Sequence, residues 1–165
     1  MMKKIMILAI IQCFALIVYG QDADGLELLR KAERGDIDAI TSVIINYEYG
    51  WSGFPQDSLK QGYWTKKGAE AGAANCQVKL YSMYRNGTHG FQKNESIGFE
   101  WLLKAANGED YHACIARSLI ANKYRYEDED KYEEWLKKAA EPGLYYYRRA
   151  DARLARRRAR KHPLR

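Results

Sequence analysis

Glycine recurs along this chain at a nearly constant interval, and no other feature of the sequence constrains the fold as strongly. Four glycines lie 37, 36 and 35 residues apart, and an alanine stands three positions before each one. They are Gly35, Gly72, Gly108 and Gly143. A repeat of this length forms one supersecondary unit, which buries its apolar face only by stacking on neighbouring repeats. The interval therefore predicts a stacked repeat architecture.

Each interval contains the pattern of two helices joined by a loop. In the second interval Cys76, Leu80 and Met83 recur at helical spacing. Residues 85–90 then carry two glycines, which break the helix, and Asn94 is a candidate N-cap for the helix that follows. The sequence therefore predicts helix pairs throughout, and an all-α fold.

Candidate caps mark the ends of these helices. Asp36 and Asp57 each precede a helix of the first interval. The glycine at the end of each repeat suits a left-handed C-cap, because glycine adopts positive φ without steric cost. The predicted units are a capping helix at 21–35 and repeats at 36–72, 73–108 and 109–143.

A tryptophan followed three positions later by lysine recurs in the last helix of each repeat. Together with the recurring glycines and alanines, it forms a pattern that is typical of a known repeat family. With it, the sequence resembles the Sel1-like repeat family, relatives of the tetratricopeptide repeat. The matching residues are Tyr47, Gly50, Gly53, Phe54, Asp57, Lys60, Trp64, Lys67, Ala69 and Gly72 in the first copy, and Tyr84, Gly87, Gly90, Phe91, Trp101, Lys104, Ala105, Ala106 and Gly108 in the second. The third copy matches at 135–143, but its first helix and shortened loop lack the Tyr-x-x-Gly pattern.

The resemblance implies a short right-handed α-solenoid of about three helix-turn-helix repeats that acts as a scaffold for protein binding. Its repeat-structural residues are Trp64, Gly72, Trp101, Gly108, Trp135 and Gly143.

The N-terminus has the pattern of a secretory signal at 1–20. Lys3 and Lys4 precede an apolar run at 5–18, and Val18 and Gly20 suit a signal peptidase. The alternative is a membrane anchor, but the run is shorter than the roughly 20 residues that a spanning helix needs. We therefore expect export to the periplasm or the exterior.

The formal net charge of +6 comes from the C-terminus and not from the repeats. Residues 148–165 hold nine basic residues and one acid, whereas residues 21–147 hold 16 basic and 20 acidic residues, a net of −4. The spacing of apolar residues predicts a basic cap helix within 144–165. An exported chain rarely meets nucleic acid, so anionic lipid or an acidic protein is the expected contact of the tail, and a cap that only keeps the solenoid end soluble is the alternative. The candidate arginines are Arg156, Arg157, Arg158 and Arg160.

Two cysteines, Cys76 and Cys114, remain after removal of the signal. In an oxidising compartment they could form a disulfide, and two small buried thiols are the alternative. The sequence has no CxxC or Cys/His cluster of the kind that binds a metal, so we expect no metal and no cofactor.

Aromatic residues outside the repeat positions are the candidate contacts with a partner, because Tyr and Trp are frequent anchors of protein interfaces. They are Tyr49, Trp51, Tyr126, Tyr145 and Tyr146. The sequence thus predicts an exported, monomeric scaffold, not an enzyme, that binds an unknown partner protein through its helical-repeat groove. One alternative is a periplasmic immunity protein that neutralises a secreted toxic effector. A second is a hydrolase acting on cell-wall material or a β-lactam, for which the sequence offers no recognisable catalytic motif.

Overall fold

The computed structural model describes residues 23–140 and Arg156, and within residues 23–140 the chain is helical without strands. The helices are α1 (Ala23–Glu33), α2 (Ile37–Tyr49), α3 (Ser58–Glu70), α4 (Ala74–Asn86), α5 (Glu95–Ala106), α6 (Tyr111–Tyr124) and α7 (Glu129–Ala140). In this part of the chain, every helix is too short or too polar to cross a membrane. The predicted secretory signal, Gly143 and the basic tail, Arg156 apart, lie outside the described residues.

The helices stack in chain order as the repeat pattern predicts. Each of the three predicted repeats contains one helix pair: α2 with α3, α4 with α5, and α6 with α7. Every helix contacts the next one along the chain, and the first helices of the last two repeats, α4 and α6, also contact each other. The prediction of an all-α, short α-solenoid is therefore confirmed.

Acidic or amide side chains begin most of these helices, because they accept hydrogen bonds from N–H groups that lack a partner within the helix. The predicted caps are confirmed: Asp36 accepts from the Ala39 N–H, Asp57 from the Leu59 and Lys60 N–H groups, and Asn94 from the Ile97 N–H, at 2.9 to 3.0 Å. Two further caps were not predicted from the sequence. Asp110 accepts from the Ala113 N–H at the start of α6, and Asp128 accepts from the Lys131 N–H at the start of α7. Acceptance of the Lys131 backbone N–H lowers the pKa of Asp128.

The repeat-end glycines do not all have the predicted conformation. Gly35 and Gly72 have φ of 89° and 94°, and the residue after each one closes the helix by donating its N–H to a carbonyl five positions back. Gly108 does not have a positive φ, so the predicted left-handed cap is wrong there. The physical reason is that the Arg117 guanidinium donates to the carbonyl of Ala106, the last residue of α5, and to the carbonyl of Gly108 itself.

The loops inside the three repeats differ in length but close in the same way. The first two span residues 50–57 and 87–94, and the third, 125–128, is about half as long. In each, the N–H of the residue that caps the next helix donates to a tyrosine carbonyl near the end of the previous helix. The pairs are Asp57 with Tyr47 (3.0 Å), Asn94 with Tyr84 (2.8 Å) and Asp128 with Tyr124 (3.0 Å).

The repeated tryptophans pack beside the lysines that follow them. Each lysine Nζ lies over the indole ring three positions before it, an arrangement that attracts the ammonium to the ring face. The distances to the ring centroid are 5.2 Å for Lys67 and Trp64, 3.9 Å for Lys104 and Trp101, and 4.6 Å for Lys138 and Trp135.

One position of the core carries a polar side chain in the first repeat only. Thr65 lies eight residues after the cap Asp57. Eight residues after the caps of the later repeats, Asn94 and Asp128, stand the buried leucines Leu102 and Leu136. The Thr65 side chain is fully buried, and its Oγ1 has no hydrogen-bond partner. A buried hydroxyl without a partner destabilises the folded state.

Thr65→Val should therefore stabilise the protein by about 1 kcal/mol, because valine fills nearly the same volume without the unpaired hydroxyl. Urea unfolding followed by circular dichroism measures the change. Thr41→Val is the matched control, since the Thr41 hydroxyl accepts a hydrogen bond from Asn75 (3.4 Å) and should bring no gain. A loss of stability in Thr65→Val would contradict the prediction.

Candidate protein-binding surface

Two of the predicted contact residues form one exposed aromatic surface at the end of α2. Gly50 has a φ of 72°, which turns the chain so that Trp51 folds back over Tyr49. The two rings stack with centroids 4.8 Å apart and planes at 25°. Tyr49 is 55% exposed and Trp51 57%. We call these two residues the aromatic pair.

A polar network supports the aromatic pair from the adjoining turn of α2. Glu48 accepts a hydrogen bond from Gln61 of α3 (3.0 Å) and forms an ion pair with Lys79 of α4 (3.3 Å). The Glu48 carboxylate also raises the pKa of Tyr49, mainly through a hydrogen bond with its hydroxyl. The carboxylate thus ties α2 to α3 and α4 directly beside the exposed rings.

Of the other predicted contacts, the structure describes Tyr126 and Arg156, and Tyr126 does not join the aromatic pair. Tyr126 is 89% exposed but lies in the 125–128 loop of the third repeat, with the Arg125 guanidinium 5.3 Å from its ring. Tyr145 and Tyr146 fall outside the described residues, as do Arg157, Arg158 and Arg160. Arg156 is exposed.

A groove that the sequence analysis missed lies at the junction of the second and third repeats. It has a volume of about 490 Å³. Its floor is formed by Tyr81 of α4, Phe99 and Leu102 of α5, and Leu119 of α6, and charged side chains of the same helices stand around it. We call it the junction groove.

The lengths of the loops explain why a groove exists at this junction. Gly62 of α3 lies five residues after the cap Asp57, and Phe99 of α5 lies five residues after the cap Asn94. The two residues therefore occupy equivalent positions in their helices. At Gly62 the loop of the next repeat lies on the helix, and a Cβ there would come within 2.2 Å of the His89 carbonyl oxygen. The corresponding loop beyond Phe99 is 125–128, which is about half as long. We attribute the open junction groove to this shorter loop.

The disulfide considered for Cys76 and Cys114 is not formed, and both are buried free thiols. The Cys76 sulfur packs over Gly68 of α3, whereas Cys114 belongs to a separate apolar cluster with Leu136 of α7. Burial raises the pKa of the Cys76 thiol to about 11 and also raises that of Cys114. Because each sulfur packs against a different helix, the cysteines act as small core residues.

Ionisable groups do not converge on a metal-binding arrangement. Within residues 23–140 there is no group of three or more His, Cys, Asp and Glu side chains able to hold a metal ion. His89 stands in a loop, where its ring bonds the neighbouring Thr88 hydroxyl (2.9 Å), and His112 packs edge-on against Tyr111. Among the surfaces of the described residues, the aromatic pair and the junction groove are suited to contact with another macromolecule.

Two solved structures are similar to the chain over about three quarters of its length. A Sel1 repeat protein from Oxalobacter formigenes is 27% identical with a TM-score of 0.64, and the match covers 76% of this chain and 95% of that one. A protective antigen of uropathogenic Escherichia coli with an SLR fold is 27% identical with a TM-score of 0.60, and the match covers 73% of this chain but 26% of the antigen. No protein-family model and no curated protein matches the chain.

Proposed function

This chain is a Sel1-like repeat protein, as its repeat residues predict, and we propose that it is a scaffold that binds a partner protein through its helical-repeat surface. The match covers only 26% of the antigen, so the antigen as a whole does not indicate the function of this chain. A short stack of helix pairs offers a rigid surface assembled from several repeats.

The aromatic pair is the observation that carries this proposal. More than half of the surface of both Tyr49 and Trp51 is open to water. Their stacking already orders the rings, so a partner that covers them gains apolar burial at a small cost in side-chain entropy. Rigid aromatic side chains of this kind are enriched among the residues that dominate binding energy.

Capture experiments with the mature protein test the scaffold function. Tagged protein cross-linked in envelope extract should recover one partner in stoichiometric amount. Combined substitution of Tyr49 and Trp51 by alanine should weaken that complex by about 30-fold or more. Leu26→Ala, which truncates a similarly exposed side chain on α1, is the control and should bind normally. Tyr126→Ala shows whether the third repeat contributes. Failure to recover any partner in repeated captures would refute the scaffold.

We further propose that the protein is exported and acts outside the cytoplasm, on the basis of the pattern at 1–20. The intact mass of the protein used in the capture experiment tests this, because cleavage after Gly20 predicts a chain that begins at Gln21. The identity of the captured protein separates an envelope partner from a toxic effector, which would make the chain an immunity protein.

Loss of anionic-vesicle binding on removal of residues 148–165 would support the proposed lipid contact of the tail.

A further inference from the structure

We propose that the junction groove binds an acidic peptide segment of the partner, with an apolar side chain on the groove floor and a neighbouring carboxylate at Arg85 and Lys123. This inference rests on the scaffold function and specifies the chemistry that the scaffold selects. The aromatic pair and the junction groove are separate surfaces, so each can be tested alone.

The floor of the groove suits an apolar side chain. Leu102 is almost fully buried, and the rings of Tyr81 and Phe99 together with Leu119 pack around it while remaining partly open to water. The volume of about 490 Å³ lies in the range of roughly 300 to 1,000 Å³ that is usual for ligand-binding clefts. An apolar side chain that enters displaces water from surface that the helices themselves leave uncovered.

The rim of the groove carries two cations without an acidic partner. Elsewhere in the described chain, some basic residues, such as Lys79 and Lys138, reach a carboxylate within 4.0 Å. In the described part of the chain, neither Arg85 nor Lys123 forms such a pair. Instead Arg85 donates to the Tyr81 hydroxyl (3.4 Å), and the Lys123 ammonium lies 4.9 Å from the centroid of the Phe99 ring.

One acidic residue, Glu95, also lines the groove. Glu95 stands in the first turn of α5, where the helix dipole stabilises its negative charge. Two cations against this one carboxylate leave the rim with a net positive charge. A peptide carboxylate next to an apolar anchor complements both the rim and the floor, whereas a basic peptide would place like charges at Arg85 and Lys123.

Selection from a phage-displayed library of random peptides on the immobilised mature protein tests this chemistry. The enriched peptides should share an apolar residue flanked by Asp or Glu. A fluorescein-labelled copy of the most enriched peptide, titrated by fluorescence anisotropy, should bind at least about tenfold more weakly to the variant with Arg85→Glu and Lys123→Glu. The matched control carries Lys31→Glu and Lys137→Glu, which change the net charge equally at exposed sites outside the groove, and it should bind like the wild type.

The outcomes separate this inference from the scaffold function. Enrichment of basic peptides, failure to enrich any peptide, or equal loss of binding in both charge variants would overturn the inference. Capture of the partner by the groove variant with unchanged yield would also overturn it while leaving the scaffold intact. Circular dichroism of both variants should match the wild type, since all four replaced side chains are exposed.

Discussion

Replacement of Arg117 by methionine is expected to lower the free energy of unfolding by about 3 kcal/mol, because one guanidinium closes two helix ends. Its Nε donates to the carbonyl of Ala106, the last residue of α5 (2.9 Å), and one terminal nitrogen donates to the carbonyl of Gly108, two residues further on (2.6 Å). The other terminal nitrogen donates to the Lys138 carbonyl in the last turn of α7 (3.1 Å). Hydrogen bonds to a charged group contribute roughly 1.5 to 3 kcal/mol each, and those that share one side chain do not add fully.

Two further variants make this prediction specific to the planar guanidinium. Arg117→Lys keeps the charge but cannot reproduce three bonds in one plane, so it should recover about half of the loss. Arg125→Met removes an exposed arginine at the end of the same helix and should cost less than about 0.5 kcal/mol. Urea unfolding followed by circular dichroism compares all three. An Arg117→Met protein as stable as the wild type would show that the three carbonyls find other partners.

Local features of the fold could be predicted from the sequence because their causes lie within a few residues. Asp36, Asp57 and Asn94 cap helices by bonding N–H groups two or three positions ahead, so the residue type and its place before an apolar pattern suffice. The exposure of Tyr49, Trp51 and Tyr126 could also be predicted, since these residues fall outside the repeated core positions. Whether they bind a partner stays a prediction.

Features that depend on contacts between repeats could not be predicted in the same way. The Arg117 guanidinium replaces the expected cap at Gly108 by donating to the Gly108 carbonyl and to carbonyls of two other helices, at Ala106 and Lys138. Every residue has a backbone carbonyl, so the sequence does not indicate which carbonyls are bound. The junction groove depends on a neighbouring loop that is too short to cover Phe99. The shortened loop is visible in the sequence. The candidate caps Asp57 and Asn94 also place Gly62 and Phe99 at equivalent positions, and together these two features indicate an open surface at Phe99.

Gly62→Ala should destabilise the protein by about 1 to 2 kcal/mol, although alanine is the better helix former. The added Cβ would lie 2.2 Å from the carbonyl oxygen of His89 and 3.0 Å from its Cβ. This oxygen belongs to the backbone, so a change of side-chain rotamer cannot relieve the contact. His89 itself has a φ of 58°, in the small left-handed region, so its backbone can shift only slightly before it leaves the allowed region. Overpacking costs roughly 1 to 3 kcal/mol and occasionally more, against a gain of about 1 kcal/mol in helix propensity.

Comparison with Gly98→Ala separates the clash from helix propensity. Gly98 lies in α5, where an added Cβ would be 3.1 Å from the Tyr81 carbonyl oxygen, a contact that a shift of a few tenths of an ångström relieves. We therefore expect Gly98→Ala to change stability by less than about 1 kcal/mol, because the propensity gain offsets the contact. If Gly62→Ala instead raised the unfolding midpoint in urea, the loop at 87–94 would not be packed on α3. The loop argument for the open junction groove would then fail as well, since it requires that the longer loop cover the equivalent site.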